Sequence, residues 1–441
     1  MKLAVTFLVS LISLAWAGIP VAISDDPWYN APANLDSLAD GTIIRSRETP
    51  NSLAALVLFP QNVQKSYQLL YKSTDDLNRT FATATTIIVP YNADYTKLVS
   101  FQIAEDSAYI NCAPSYALQF ASDPDALLSQ VEFVFLSAML SLGYVVNVPD
   151  YEGPRSAFTV GQVAGRAVLD SLRAALASSS ITGINSKARI ALWGYSGGSL
   201  ASGWAAQLQP SHAPELVISG AALGGVVPNI AAVATKVSGG VFAGLVPAGI
   251  TGFGNQYDEV SEIISAHLVP SKVEEWNKAN SQCIVADALG YAFQDIFEDY
   301  FTIGTGILEV PEVAARLNQN LMGSLVPEFP IYIYHAVGDE VAPVEKADTL
   351  VSSWCNAGIK SLEYHKDILD EHLSEEVFGS AGAIVWLKSI MEDSADLADG
   401  CKTEISLSQL IDPDAVPVLG EELVQVLLNL VGKPIGPISF A

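Results

Sequence analysis

The stretch Ala188-Arg-Ile-Ala-Leu-Trp-Gly-Tyr-Ser-Gly-Gly-Ser199 joins an apolar run to a serine set between glycines. The run Ile190–Leu192 is typical of a buried strand, and the small residues of Leu200–Ala206 are typical of a helix. A strand that turns sharply into a helix crowds the positions two before and two after the turn residue. Both positions must therefore be tiny, as Gly194 and Gly198 are. The stretch predicts a serine exposed at a strand-to-helix turn.

Ser196 has the setting that a serine nucleophile needs. A serine hydroxyl attacks a carbonyl only beside a base, with N–H donors ready for the oxyanion. The backbone N–H of Gly197, at the start of the predicted helix, is such a donor. The alternative is an ordinary glycine-rich turn in a chain with 32 glycines. The flanking strand and helix favour the nucleophile.

The hydrolase layout that places a serine at such a turn requires an acid and then a histidine on later loops. The predicted strand Ile331–Tyr334 runs into a turn that carries Asp339, and we predict Asp339 as the acid. Asp370 and Glu371 are competing carboxylates, which we expect to cap or solvate their own loop.

The chain has five histidines as candidates for the base. His212 follows the predicted nucleophile helix, His267 lies in the segment between the strands, and His335 is expected to be structural. His365 ends a strand-like run, whereas His372 lies in a polar loop, where catalytic groups are more common. We therefore predict His372 as the base, with His365 as the alternative.

Short runs rich in β-branched and aromatic residues alternate with helical patterns, the clearest of which covers residues 160–178. Buried parallel strands with helices on both faces of the sheet have this pattern. The predicted strands are Thr85–Val89, Leu98–Ile103, Gly143–Val148, Ile190–Leu192, Leu216–Ser219 and Ile331–Tyr334.

The strand pattern stops between residues 226 and 326. We predict one α/β core from residues 18–225 and 327–441, with 226–326 as an inserted helical cap. A second independent domain is the alternative, but no Pro/Ser-rich linker flanks the segment. A chain of 441 residues is long enough for a large core and an insertion. The residues at helical spacing in the cap are Leu289, Ala292, Phe293, Ile296, Phe297 and Tyr300.

The formal charge is −26, from 48 acidic and 22 basic residues. Such a surface repels nucleic acid, so we expect no nucleic-acid partner. Residues 1–17 carry a lysine and then an apolar stretch and end in Ala15-Trp16-Ala17, which predicts a signal peptide cleaved after Ala17. An uncleaved anchor is the alternative, but the stretch is shorter than the ~20 residues of a membrane span. We therefore expect a secreted, extracellular protein. Asn78 begins an Asn-Arg-Thr glycosylation triplet.

Secretion makes the four cysteines candidates for two disulfides. From the residues alone, all three pairings of Cys112, Cys283, Cys355 and Cys401 are open. A metal site is the weaker alternative, because no CxxC motif or histidine cluster accompanies them. We predict no metal and no cofactor.

Several motifs occur in the order that they have in one known family. They are GYSGG at 194–198, HAVGDEVAP at 335–343, Glu105–Ser107, Asn111–Tyr116, Asp150–Gly153, Ala213–Leu216 and Gly224-Gly225. Together, over about residues 25–435, the chain resembles the fungal secretory lipases of the Candida antarctica lipase A type.

The resemblance implies an α/β-hydrolase core, a helical lid inserted after the nucleophile and a C-terminal flap near the acyl site. It implies that Ser196 is the nucleophile, Asp339 the orienting acid and His372 the base. It also implies that Asp106 supplies a second oxyanion donor beside Gly197.

The same resemblance implies the disulfides Cys112–Cys283 and Cys355–Cys401. The chain departs from some relatives at Tyr151, where we expect histidine in those proteins.

We therefore expect a serine carboxylic-ester hydrolase, a triacylglycerol lipase that forms an acyl-enzyme. An esterase or deacetylase of small acylated secondary metabolites is the alternative. A non-catalytic binding protein would tolerate loss of Ser196 or His372, and a metal hydrolase does not suit scattered histidines without an HExxH motif. We expect a monomer that acts on an ester or lipid substrate, including at a lipid–water interface.

Overall fold

The structure, a computed structural model, describes residues 18–56, 59–409 and 415–437. The predicted signal peptide, residues 1–17, lies outside the described residues. Within them, no helix combines the length and the apolar character needed to cross a bilayer.

A mixed sheet runs through the centre of the protein. The strands are β1 (Ile43–Glu48), β2 (Ala54–Ala55), β3 (Phe59–Pro60), β4 (Lys65–Thr74), β5 (Thr80–Val89), β6 (Asp94–Gln102), β7 (Tyr144–Pro149), β8 (Arg189–Tyr195), β9 (Ile218–Gly224), β10 (Ile331–Ala336), β11 (Ser361–Asp367) and β12 (Gly400–Ser406). Ten of them form one sheet in the order β1-β4-β5-β7-β6-β8-β9-β10-β11-β12, and β2 pairs with β3. From β7 to β12 neighbouring strands are parallel, so their carboxyl ends meet at one edge of the sheet.

Helices cover the sheet and fill the segment between β9 and β10. The helices are α1 (Pro114–Ala117), α2 (Leu127–Val131), α3 (Phe133–Ser141), α4 (Gly161–Ala177), α5 (Ser179–Thr182), α6 (Gly197–His212), α7 (Ile230–Val237), α8 (Leu245–Gln256), α9 (Asp258–His267), α10 (Val273–Trp276), α11 (Ile284–Tyr291), α12 (Ile296–Tyr300), α13 (Pro311–Gln319), α14 (Val344–Asn356), α15 (His372–Met391) and α16 (Ala415–Leu430).

The two faces of the sheet are covered by different helices. Helices α4, α6 and α14 pack with one face, and α3 and α15 pack with the other. Helices α4 and α6 approach closely because Gly165 has no side chain: a Cβ there would lie 2.6 Å from the backbone carbonyl carbon of Trp204. Strands buried on both faces explain the apolar runs in the sequence.

The helical segment between β9 and β10, where the sequence predicts a cap, packs around an apolar cluster that also takes in Val160 and Val163 around the start of α4. Phe253, Tyr257, Phe297 and Tyr300 are among its buried residues. Helices of this segment line the cavity that contains Ser196. The apolar cluster therefore lies over the edge of the sheet at which the parallel strands end.

Two local predictions were wrong. Thr85–Val89 belongs to β5, which is antiparallel to both of its neighbours rather than parallel. The run of β-branched residues reflects the burial of β5 on both faces. Burial does not determine whether neighbouring strands are parallel or antiparallel. The helical spacing across Leu289–Tyr300 is interrupted, since α11 ends at Tyr291 and α12 begins at Ile296. Phe293 lies in this break with a φ of +63° and is 74% exposed.

Two disulfides connect distant segments. Cys112 is joined to Cys283 in the cap, and Cys355 is joined to Cys401. This is the pairing that the family resemblance implies. At the C-terminus, α16 contacts α15. Residues 410–414 and 438–441 of the predicted C-terminal flap lie outside the described residues.

Candidate active site

Ser196 occupies the turn between β8 and α6, as the sequence predicts. Its φ of 49° and ψ of −119° are unusual for a residue with a side chain, a strain that is common at functional sites. A Cβ at Gly194 would lie 2.2 Å from the carbonyl oxygen of Gly198, and a Cβ at Gly198 would lie 1.9 Å from that of Gln102. The turn therefore requires both glycines.

The structure brings Ser196, His372 and Asp339 together. The Nε2 atom of His372 lies 2.9 Å from Ser196 Oγ, and its Nδ1 atom lies 2.8 Å from Asp339 Oδ2. The backbone N–H groups of Val341 and Ala342 donate to Asp339 Oδ1 at 2.8 and 2.6 Å. The carboxylate is thus held on one oxygen by its own turn and presents the other to the imidazole.

The electrostatics of the pair suit an imidazole that gains a proton. Burial alone would raise the pKa of Asp339, but the hydrogen bond and charge of His372 hold it below its ordinary value. Burial alone would lower the pKa of His372, but the hydrogen bond and charge of Asp339, with smaller contributions from Glu376 and Glu340, raise it. The pair therefore stabilises an imidazolium beside Ser196.

His372 is the first residue of α15, not a loop residue as predicted. The neighbouring polar residues that indicated a loop form a capping box, in which the side chains of Glu371 and Ser374 bond to each other's backbone. The expectation that Glu371 caps its own segment is consistent with this arrangement. The other candidate, His365, lies on β11 between the carboxylates of Glu363 and Glu404.

Two contacts of His372 were not anticipated from the sequence. The hydroxyl of Tyr195 donates to the carbonyl oxygen of His372 at 2.6 Å. The backbone N–H of His372 donates to Glu340 Oε2 at 2.8 Å. Tyr195 directly precedes Ser196 in the chain, and Glu340 directly follows Asp339. This adjacency was the available signal in the sequence for the two contacts.

Asp106 and Gly197 lie next to each other in the wall of the cavity that contains Ser196. As the first residue of α6, Gly197 has a backbone N–H that the helix does not use. Asp106 follows the end of β6 with a φ of +48°. Its carboxyl packs against Gly197, where a Cβ would lie 1.9 Å from Asp106 Oδ1. The segment after β6 and the start of α6 therefore meet at Ser196.

Several buried acidic side chains surround Asp106. Burial raises the pKa of Asp106 to about 6, against an opposing effect of His372. Burial also raises the pKa of Glu376 to about 7 and those of Glu105, Glu132 and Glu152 well above their ordinary values. This cluster is therefore largely uncharged in weakly acidic solution.

A further group of carboxyls lies behind the His372 turn. Oxygens of Asp367, Asp370 and Glu375 lie within 4.8 Å of one another, and all three residues are buried. Burial raises the pKa of Glu375 to about 10, with Asp367 contributing. The nearby Asp367 carboxyl, by its charge and hydrogen bond, thus favours the protonated form of Glu375. A second close group, Asp40, Asp170 and His212, is bonded to Lys72 and Arg173.

A cavity opens beside Ser196 and extends along the helices between β9 and β10. Asp106, Thr159 and Ser196 are the polar residues of its lining, and the rest is apolar or glycine. Apolar lining residues from the cap are Ile230, Ala231, Val233, Ala234, Leu245, Val246, Ile250, Phe253, Val260, Ile264, Ile307, Leu308, Val313 and Leu317. The site therefore joins a polar reacting end to a long apolar space.

Comparisons with known proteins identify the family of the chain. A family model described as secretory lipase matches residues 118–398. Lipase A of Arthroderma benhamiae is 40% identical and aligns with 95% of this chain and 90% of its own length. Lipase 4 of Candida albicans is 39% identical over 97% of this chain and 94% of its own.

Solved structures give the same assignment. The closed state of Candida antarctica lipase A matches with a TM-score of 0.83 at 29% identity, over 96% of this chain and all of that one. A rice cell wall degrading esterase from Xanthomonas oryzae matches with a TM-score of 0.64 at 14% identity over 81% of this chain, which indicates the α/β-hydrolase fold alone. The chain therefore belongs to the secretory lipase family of ester hydrolases.

Proposed function

We propose that this lipase hydrolyses esters through a triad of Ser196, His372 and Asp339. The proposal rests on one observation, the continuous chain of contacts from Ser196 Oγ through the imidazole to Asp339, with steps of 2.9 and 2.8 Å. Such a chain lets the hydroxyl lose its proton as it attacks a carbonyl.

In the first step, His372 Nε2 takes the proton of Ser196 while Oγ bonds to the ester carbonyl carbon. Asp339 keeps the imidazole oriented and stabilises its cation. The proton then passes to the departing alcohol, which leaves an acyl group on Ser196. A water molecule that His372 deprotonates releases the acid in the second step.

The backbone N–H groups of Gly197 and Asp106 are the proposed oxyanion donors. Gly197 supplies a free N–H at the start of a helix, where the helix dipole also favours negative charge. Asp106, whose carboxyl packs against Gly197, supplies the second. Loss of one such donor typically costs about 3 kcal/mol of barrier.

The substrate is proposed to be an acylglycerol with a long acyl chain. The cavity beside Ser196 is lined almost wholly by apolar side chains, so each methylene of an acyl chain that it buries contributes roughly 0.8 kcal/mol. A small acylated metabolite with polar groups would leave them without partners among these side chains. The cavity therefore favours the lipase over the esterase alternative.

Secretion is part of the proposal. The candidate signal peptide over residues 1–17 and the two disulfides suit an oxidising compartment. Asn78 is exposed in a turn with a φ of +61°, so a glycan at this position would extend into solvent. We propose a monomer without cofactor.

Labelling by an active-site phosphonate tests the nucleophile. Wild-type protein is expected to take up one phosphonate per chain, and Ser196→Ala none. Ser211→Ala, at the far end of the same helix, is the control and keeps full labelling. Undiminished labelling of Ser196→Ala would place the nucleophile elsewhere.

A chain-length series from acetate to long-chain triglyceride tests the substrate. Ala234→Phe adds a ring to the cavity wall, and it is expected to lower turnover of long-chain esters while acetate turnover changes little. Equal loss on all chain lengths, or none on long chains, would show that the acyl chain lies elsewhere.

A further inference from the structure

The segment that carries Asp106 is not part of the sheet. We define the oxyanion loop as Ile103–Ser107, which begins directly after β6 ends at Gln102. All five of its residues are buried. Asp106 adopts a φ of +48°, which a residue with a side chain keeps only where its surroundings enforce it. Something outside the loop must therefore fix its conformation.

Two side chains from other elements bond to the peptide groups that precede Asp106. The hydroxyl of Tyr151, after β7, donates to the carbonyl oxygen of Ile103 at 2.7 Å. The Oε1 atom of Glu132, between α2 and α3, accepts from the backbone N–H of Ala104 at 2.8 Å. The loop's own backbone adds one bond, from Glu105 N–H to the Ile103 carbonyl at 2.9 Å.

Both side chains are rigid and inaccessible. Tyr151 is 2% exposed and Glu132 is 1% exposed, and neither belongs to the cavity lining described above. Burial raises the pKa of both groups well above their ordinary values. Each hydrogen bond thus lies in a buried site without water competition, where a lost partner is costly.

We propose that Tyr151 and Glu132 are positioning residues that clamp the oxyanion loop and so aim the backbone N–H of Asp106 at the reacting carbonyl. The inference rests on the proposed function, since it concerns the second oxyanion donor.

The clamp acts on the transition state more than on substrate binding. The donor matters when negative charge develops on the carbonyl oxygen, whereas the acyl chain binds in the apolar cavity. A displaced donor therefore lowers kcat and leaves KM nearly unchanged. Since a shift of 1 Å in a reacting group can cost about 10²-fold, we expect Tyr151→Phe to lose about 10- to 100-fold in kcat.

A matched control separates positioning from stability. Tyr71 is also fully buried, and its hydroxyl donates to the carbonyl oxygen of Ala167 at 2.9 Å, with no contact to the oxyanion loop. Tyr71→Phe removes the same kind of bond and is expected to lower Tm by a similar amount with kcat within about twofold of wild type. Only Tyr151→Phe should lower kcat.

Glu132 provides an independent test. Glu132→Gln keeps an oxygen that can accept from Ala104, whereas Glu132→Leu removes the acceptor. The glutamine variant is therefore expected to keep most of the activity that the leucine variant loses. If Tyr151→Phe does not fold, this pair carries the test.

A trifluoromethyl ketone with a long alkyl chain reports the donor directly, because Ser196 converts it to a tetrahedral oxyanion. Its inhibition constant should rise in step with the loss of kcat in Tyr151→Phe and Glu132→Leu, while phosphonate still titrates one serine per chain. Unchanged kcat and inhibition constant in folded Tyr151→Phe would overturn the clamp. Failure of wild-type protein to react with phosphonate would instead overturn the proposed function.

Discussion

Gly198→Ala is expected to disable the site while the protein still folds. The added Cβ would lie 1.9 Å from the backbone carbonyl oxygen of Gln102, where ordinary contacts begin near 3.4 Å. Since that neighbour is backbone, α6 and the end of β6 must separate by about 1.1 Å to reach the 3.0 Å limit of real Cβ contacts and by about 1.5 Å to reach 3.4 Å. This shift moves Ser196 relative to the oxyanion loop.

A misplacement of about 1 Å costs roughly 10²-fold in rate, or about 2.7 kcal/mol of barrier. Overpacking of this kind also costs roughly 1–3 kcal/mol of unfolding free energy. The assay is kcat and KM on a chromogenic long-chain ester, normalised to the serine titrated by phosphonate, together with a denaturation curve.

Gly203→Ala is the control, because it makes the same change on the same helix. There the Cβ would meet the end of Met322, with Cε and Sδ at 2.7 Å, and a flexible thioether can move aside. We expect its kcat to stay within about threefold of wild type. A folded Gly198→Ala protein with the kcat of Gly203→Ala would refute the reasoning from backbone contact.

Three further predictions concern the acid, the pH dependence of stability and a disulfide. Asp339→Asn should lower kcat about 10⁴-fold with little change in KM, as measured by steady-state kinetics, because the amide favours the wrong tautomer of His372. The pKa of Glu375 is raised to about 10 in the folded protein. Its contribution to the free energy of unfolding is therefore complete below pH 4.5 and is lost as the pH rises toward 10. Glu375→Gln should flatten the resulting fall of Tm between pH 5 and 9. Replacement of both Cys355 and Cys401 by serine opens a loop with a separation of 46 residues and should lower the free energy of unfolding by about 3–4 kcal/mol in urea titration.

The parts of the site that could be predicted are those in which a short sequence fixes the local geometry. The glycines around Ser196 and the strand before Asp339 both impose a turn at the end of a strand, which is a local property. The contacts of Tyr151 and Glu132 could not be predicted in this way. They join residues 48 and 28 positions away along the chain, and only the strand order brings them together.

The fold, like the site, could be predicted only where the signal was local in the sequence. The alternation of strands and helices could be predicted because strands buried on both faces are rich in apolar residues. That composition does not determine whether two neighbouring strands are parallel, and β5 is antiparallel to β7. The position of His372 was misjudged for a related reason. Glu371 and Ser374 are polar both in a loop and in a capping box, and composition does not separate the two.

The order of the functional groups along the chain affects when the enzyme becomes active. Ser196 is translated before the whole cap, whereas its partner His372 follows 176 residues later. A nascent chain that has been synthesised only as far as β9 contains Ser196 but not His372, the proposed acceptor of its proton. Hydrolysis by the proposed triad therefore requires that the last quarter of the polypeptide, which carries both Asp339 and His372, has docked.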